Sequence, residues 1–309
     1  MAKKSSEYDY LYISARIHAM EHRMLTRERM ERMLDARTAE DAAKVLTECG
    51  YEDFPALTPA AIEHLLDQAR LELFADLRKA SPDPGIVDVF CIKYDYHNAK
   101  VLLKAAAMGT DPAGLFIDAG RCPVRQLRED FEREDLDHCT PVFRQAVAEA
   151  RGVLASSADP QAADLILDRA YYEEMLQAAR SVNSRFLEGY VRLSIDSANL
   201  RSAVRSARMG RGADFLKRVL IQGGNVKLDS LIAAVTGGAD LAGVFARTPL
   251  EGAADGRVEM AVEEYEADVV VVGGGGSGSA AAIAANQGGA KVILLLVTIL
   301  FPELEKLVP

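Results

Sequence analysis

The sequence predicts an all-α protein of repeated helical domains with a short βαβ-like tail. Three observations carry that prediction. Between Tyr8 and Glu251 apolar residues recur at helical spacing, with no convincing alternation of period two. Ala, Leu, Arg and Glu dominate the composition, and all four are good helix formers. One helical segment also occurs twice, 101 residues apart, as a repeat architecture requires.

The elements follow in order. Tyr8, Leu11, Tyr12, Ala15 and Ala19 mark a first helix, and Thr26 caps a second through Met30, Met33 and Leu34. Thr38 with Asp41 forms a capping-box pattern ahead of Val45 and Leu46, and Gly50 stops that helix. Thr58-Pro59 opens the next, whose stripe is Ile62, Leu65, Leu66, Ala69 and Leu73. Ser81-Pro-Asp-Pro-Gly85 reads as a loop. Asp159-Pro160 starts a helix carrying Leu167, Tyr171, Met175 and Ala178. A long helix runs from about Ser184 to Met209 and ends at Gly210 and Gly212. Asn225 is expected to cap a helix bearing Leu228, Leu231, Ile232 and Val235, stopped by Gly237-Gly238.

The repeat aligns Tyr94-DYHNAKVLLKAAAM-Gly109 with Ile195-DSANLRSAVRSARM-Gly210 without a gap. Asp95, Asn98, Lys100, Lys104, Met108 and Gly109 match Asp196, Asn199, Arg201, Arg205, Met209 and Gly210. On a helix the Asp and the Asn three residues on share a face. Mid-helix Asp and Asn are poor helix formers, so a hydrogen bond to a helix terminus or an arginine partner is expected to compensate them. A fainter echo links Met30, Met33, Leu34 and Leu46 to Leu228, Leu231, Ile232 and Val244. The expected domains are residues 1–109, 110–210, a partial third repeat over 211–265, and a tail over 266–309.

The chain has 309 residues, 49% hydrophobic and 27% charged, enough for two domains or three small ones and too apolar for a disordered chain. Its net charge of −10 argues against nucleic acid as the main partner. The N-terminal residues lack the apolar stretch of a secretory signal. The longest apolar run, Val292 to Phe301 broken by Thr298, is about half the ~20 residues of a membrane helix. A soluble, cytoplasmic protein is expected. Cys49, Cys91, Cys122 and Cys139 form no CxxC pair and are read as reduced thiols, mostly core filler.

Three features could carry chemistry or binding. His18-Ala-Met-Glu21-His22 matches the inverted zincin pattern, with both imidazoles on one helical face and Glu21 beside them to activate water. The competing reading is a charged helix face. Gly273, Gly275 and Gly278 fit the dinucleotide fingerprint, after the strand-like Val269–Val272 and before an alanine helix. The acid that should hold a ribose is missing, since leucines occupy 294 to 296. No cofactor is therefore expected to bind usefully. Arg201, Arg205, Arg208, Arg211, Lys217 and Arg218 form a basic segment, read either as a docking surface for an acidic protein or as a solvated face.

Tyr12-ISARIHAMEHRM-Leu25, Tyr94 to Ala105, Ser194 to Gly210, Asp118-Ala-Gly120 before Pro123, and Tyr171-Tyr-Glu-Glu-Met-Leu176 together resemble the C subunit of the V/A-type ATPase, the relative of the eukaryotic d subunit. The resemblance covers about residues 8–251. It implies a funnel of three related helical domains and a non-catalytic rotor subunit. Such a subunit sits on the membrane ring of proteolipids and receives the central stalk, so the chain would be peripheral to the membrane through protein contacts. No catalytic residue and no metal ligand are carried over, and His18 and His22 fall on a helix the family uses structurally. The tail instead resembles the FAD-binding start of a fumarate-reductase-type flavoprotein. It leaves an alternative reading, a fragment of an FAD- or NAD-dependent oxidoreductase.

Overall fold

The computed structural model describes residues 7–54 and 56–255, together with the backbone of 269–272 and 292–295. Up to Asp255 the described residues are all-α. A 3₁₀ turn, Glu7–Tyr10, leads into α1 (Leu11–Glu21), α2 (Arg27–Leu34), α3 (Ala39–Glu48), α4 (Pro59–Ala80) and α5 (Gly85–Met108). There follow α6 (Val124–Arg133), α7 (Pro141–Ser157), α8 (Pro160–Ser181), α9 (Arg185–Arg208), α10 (Ala213–Val219) and α11 (Leu228–Gly237). Two single turns, α12 (Leu241–Val244) and α13 (Glu251–Ala254), close the helical part. Beyond it β1 (Val269–Val272) pairs in parallel with β2 (Val292–Leu295), Val269 opposite Val292. The glycine motif Gly273, Gly275 and Gly278 lies outside the described residues.

Local chemistry explains the helix ends. The Thr26, Thr38 and Thr140 hydroxyls accept from the backbone N–H three residues on, and Asp159 accepts from Gln161 and Ala162. Gly109 and Gly210, the last residues of the repeat motif, both sit at φ near +60° (63° and 61°), where a side chain is strained, and both end their helices. Asn225 departs from expectation. The residue at the start of α11 is Lys227, and the amide of Asn225 is used elsewhere.

The chain divides into two compact units. Of the described residues, one comprises 7–13 with 71–255 and the other 14–70 with β1 and β2. In the second, α2 and α3 form a hairpin held by Arg32, which donates to both oxygens of Glu48 at 2.9 and 2.8 Å. Both side chains are about half exposed, so solvent screens this pair and it fixes geometry more than it adds stability. Val45 and Cys49 are buried there.

The first unit holds two cores in series along α9. Val89, Ile92, Tyr96 and Leu103 of α5 meet Phe143 and Val147 of α7, Leu167 and Met175 of α8, and Val191 and Ile195 of α9. Tyr96 and Phe143 stack edge to face at 5.1 Å. Further along α9, Leu200 and Ala203 pack with Leu216, Leu231, Phe245 and Leu250. Because the middle turns of α5 and α9 are packed on several sides, neither shows a clean apolar stripe, and Asp95, Asn98, Asp196 and Asn199 of the repeat are buried there. The N-terminal stripe is the opposite case. Its helix forms as expected, but Tyr8, Leu11 and Tyr12 are more than 60% exposed.

Candidate functional site

Each repeat helix grips the loop that follows it with the same two side chains. In the first copy Asn98 spans the Ile117 peptide: its Nδ2 donates to the Ile117 carbonyl at 2.8 Å, and its Oδ1 accepts from the Ile117 N–H at 3.0 Å. Asp95 Oδ1 accepts from the backbone N–H of Arg121 (2.9 Å) and Cys122 (3.2 Å). In the second copy Asn199 holds Ile221 by the same pair of bonds, both 2.8 Å. Asp196 accepts the Asn225 N–H and side-chain amide at 3.0 Å each, and the Val226 N–H at 3.1 Å. Asp95, Asn98, Asp196 and Asn199 are all at most 3% exposed. These bonds supply the compensation expected for mid-helix Asp and Asn, with loop N–H groups as the main partners.

A glycine lets each loop come this close. A Cβ on Gly120 would lie 2.2 Å from Asp95 Oδ1, and one on Gly224 would lie 2.1 Å from Asp196 Oδ1. The loop therefore rests on the carboxylate itself, and Gly120 and Gly224 are equivalent positions. Ungapped comparison hides this because Asn98 and Ile117 are 19 residues apart whereas Asn199 and Ile221 are 22 apart. Three extra residues in the second loop break the register.

The copies differ in charge. Arg121 donates through Nε to Asp95 Oδ2 and through Nη2 to Glu174 Oε1, both at 2.7 Å. Glu174, on α8, also accepts from the Tyr96 hydroxyl at 2.7 Å and from the Thr140 hydroxyl at 2.8 Å. One buried network thus joins α5, its loop, the N-terminus of α7 and α8. Burial pushes the Asp95 carboxyl above its ordinary value, and Arg121 pulls against that shift. Burial also opposes the Arg121 charge, but Asp95 and Glu174 more than offset it and hold the guanidinium protonated. Burial and the Glu174 carboxylate push the Tyr96 phenol far up, so it stays a donor. In the second copy Asn225 replaces Arg121 and Ser197 replaces Tyr96, leaving Asp196 held by neutral donors.

No buried side-chain nitrogen or oxygen of these straps is left without a hydrogen-bond partner. The arrangement fixes loops to helices through the loop N–H groups. Sequence reading found Asp95, Asn98, Asp196 and Asn199. It missed the Arg121–Glu174–Tyr96 network, whose members are remote along the chain.

The other candidate residues are placed as follows. His18 Nδ1 lies 2.8 Å from Glu21 Oε2 on the exposed face of α1, and His22 follows the last residue of that helix. Among the described residues no group of three or more His, Cys, Asp or Glu side chains could hold a metal ion. Arg201, Arg205, Arg208 and Arg211 are exposed. Cys49 and Cys91 are buried, as core filler should be, while Cys122 and Cys139 are half-buried and line a cavity of about 300 Å³ beside Asp95 and Arg121.

The thiols should react in a fixed order. A hydrogen bond with Cys139 lowers the Cys122 thiol and raises that of Cys139, whereas burial pushes Cys91 up to about 11. In an iodoacetamide time course on the folded protein at pH 8, read by peptide mass spectrometry, Cys122 is expected to be alkylated first and Cys91 last. Equal rates at Cys91 and Cys122 would contradict these environments.

Comparison with known proteins bears on the same region. The family model described as ATP synthase (C/AC39) subunit matches residues 13–271. The C subunit of an A-type ATP synthase from Desulfurococcus sp. is 27% identical over 234 residues, covering 72% of this chain and 64% of the relative. The C subunit of a V-type sodium ATPase from Enterococcus hirae is 23% identical over 232 residues, covering 74% and 70%. The C subunit of a V-type ATP synthase from Thermus thermophilus is 24% identical over 242 residues, covering 72% and 75%. The match thus spans less than two thirds of the Desulfurococcus relative's length.

Proposed function

We propose, because the chain belongs to the ATP synthase (C/AC39) subunit family, that it is a non-catalytic stalk subunit of a rotary ATPase. The observation that carries this reading is the family match across residues 13–271, which includes both Asp–Asn straps. The relatives' names agree on the C subunit of A- and V-type enzymes. A finer reading adds that the subunit links the central stalk to the membrane proteolipid ring. On that reading it lies peripheral to the membrane on the cytoplasmic side. Among the described residues no helix is long and apolar enough to cross a membrane.

A coupling piece needs stiffness and matched surfaces more than a reactive centre. The straps supply stiffness. Each converts a surface loop into a part of the helix packing by filling its backbone hydrogen bonds with buried side chains. We also read residues 1–109, 110–210 and 211–265 as successive repeat units, with each strap tying the last helix of one unit to the first loop of the next. Supporting this, α4 and α8 begin 101 residues apart and have the same length, as a repeat would give.

The test is co-purification. A tagged chain expressed in its own cells and extracted from membranes under native conditions is expected to bring down the stalk subunits of the ATPase and the ring. Recovery of stalk subunits without the ring would remove the finer reading. Recovery of neither would overturn both.

A further inference from the structure

Two of the four cysteines are held side by side by the residues next to them. Arg121, just before Cys122, donates through Nη2 to Glu174 Oε1 at 2.7 Å. Thr140, just after Cys139, donates its hydroxyl to the same oxygen at 2.8 Å. One carboxylate oxygen thus clamps the loop after α5 to the turn before α7. The main chain of each cysteine is fixed as well. The Cys122 N–H is donated to Asp95 Oδ1 at 3.2 Å, and the Cys139 N–H to the Leu136 carbonyl at 2.9 Å.

Both cysteines line the same cavity of about 300 Å³, whose wall also holds Asp95, Arg121 and His138. Both are half-buried, whereas Cys49 and Cys91 are buried. A water molecule takes about 30 Å³ of liquid, so the cavity admits a peroxide of roughly twice that size. The two sulfurs are unequal. The Cys139 thiol donates a hydrogen bond to the Cys122 sulfur, and that bond outweighs burial and the charges of Asp95 and Asp130 in lowering the Cys122 thiol. Arg121 adds to the same effect. The shared bond and burial raise the Cys139 thiol, so it keeps its proton. Cys122 is therefore the nucleophile of the pair and Cys139 the resolving thiol. Cys122 Sγ also makes a long contact, 3.8 Å, with the Pro123 carbonyl.

We propose that Cys122 and Cys139, clamped together through Glu174 at one cavity, are a redox-sensitive thiol pair that hydrogen peroxide oxidises to an intramolecular disulfide. The Cys122 thiolate attacks one peroxide oxygen. An S–O bond forms, the O–O bond breaks, and the departing hydroxide takes up the Cys122 proton as water. Cys139 then attacks the sulfenic sulfur of Cys122. The S–S bond forms, the S–O bond breaks, and hydroxide leaves with the Cys139 proton as a second water. The two thiols give up two electrons, and the peroxide gains them. The bond closes a loop containing α6 and joins the loop held by Asp95 and Asn98 covalently to the start of α7.

The test treats the reduced full chain with hydrogen peroxide, blocks the remaining thiols with iodoacetamide and digests without reductant. Peptide mass spectrometry is expected to find the Cys122 and Cys139 peptides joined, lighter than their sum by two hydrogens, with Cys49 and Cys91 alkylated. Oxidation at Cys122 should outpace that at Cys91 by about tenfold or more. Dithiothreitol should restore both thiols. Cys139→Ala should stop the reaction at a Cys122 sulfenic acid that dimedone traps. The joined peptide is read from the native chain, so it decides the matter even if the variant fails to fold. No reaction, sulfinic acid at either cysteine without the joined peptide, or oxidation of Cys91 as fast as that of Cys122 would overturn the proposal. A disulfide-linked dimer on a non-reducing gel in place of the internal link would overturn it too.

Discussion

Replacing Arg121 by methionine is expected to destabilise the helical body by about 4 kcal/mol, the scale seen when one partner of a buried ion pair is removed. The guanidinium sits between two carboxylates whose side chains are 4% and 5% exposed. Methionine fills similar volume, so the loss would come from charge and hydrogen bonding. Asp95 and Glu174 would face each other uncompensated, with Tyr96 and Thr140 still donating to Glu174. Arg121→Lys should recover only part, because one ammonium cannot reproduce the two-armed contact. The pH dependence has a definite sign. Burial already raises the Asp95 carboxyl, and losing Arg121 raises it further. A group raised in the folded state contributes stability present below its unfolded value of about 4 and lost as pH rises through its folded value. The penalty should therefore be largest at neutral pH and shrink as pH falls toward about 4. Urea unfolding followed by circular dichroism at several pH values measures it. A cost under about 1 kcal/mol at pH 7 would mean the network is not closed as described.

Gly224→Ala and Gly120→Ala are expected to cost about 3 kcal/mol each, combining overpacking with the loss of loop hydrogen bonds. The added methyl would fall 2.1 and 2.2 Å from a carboxylate oxygen, far inside contact distance. Relief requires moving a buried aspartate or lifting the loop, and either breaks the N–H bonds at Arg121 and Cys122, or at Asn225 and Val226. Gly152→Ala is the control. Gly152 lies within α7 with open space around its Cβ direction, so alanine there should stabilise by roughly 0.5–1 kcal/mol through helix propensity. Thermal unfolding of the three variants separates the cases. Equal behaviour of Gly224→Ala and Gly152→Ala would remove the close-approach argument.

What the sequence made legible follows from how local each signal is. The caps at Thr26, Thr38 and Asp159 lie within three residues of the groups they satisfy, and all three form. The repeat was visible because it lies on one uninterrupted helix in each copy. The straps were not. Their second halves sit in loops of different length, so Gly224 and Gly120 never align without a gap. Asn225 shows the same limit: a polar residue ahead of an apolar stripe reads as a cap, yet its N–H and amide turn back to Asp196, 29 residues earlier. Arg121 and Glu174 are 53 residues apart and carry no shared pattern, so only folding brings them together. The stripe at Tyr8, Leu11 and Tyr12 specifies a helix, but periodicity alone says nothing about what covers it.

The central claim is that two equivalent straps turn surface loops into fixed parts of a stiff helical body. Native-state hydrogen exchange at the amides of Ile117, Arg121, Cys122, Ile221, Asn225 and Val226 tests it most directly. These six belong to loops, yet each N–H is donated to a buried Asp or Asn. They are predicted to exchange as slowly as the central turns of α5 and α9. Exchange as fast as at exposed loop amides that make no hydrogen bond would contradict the claim.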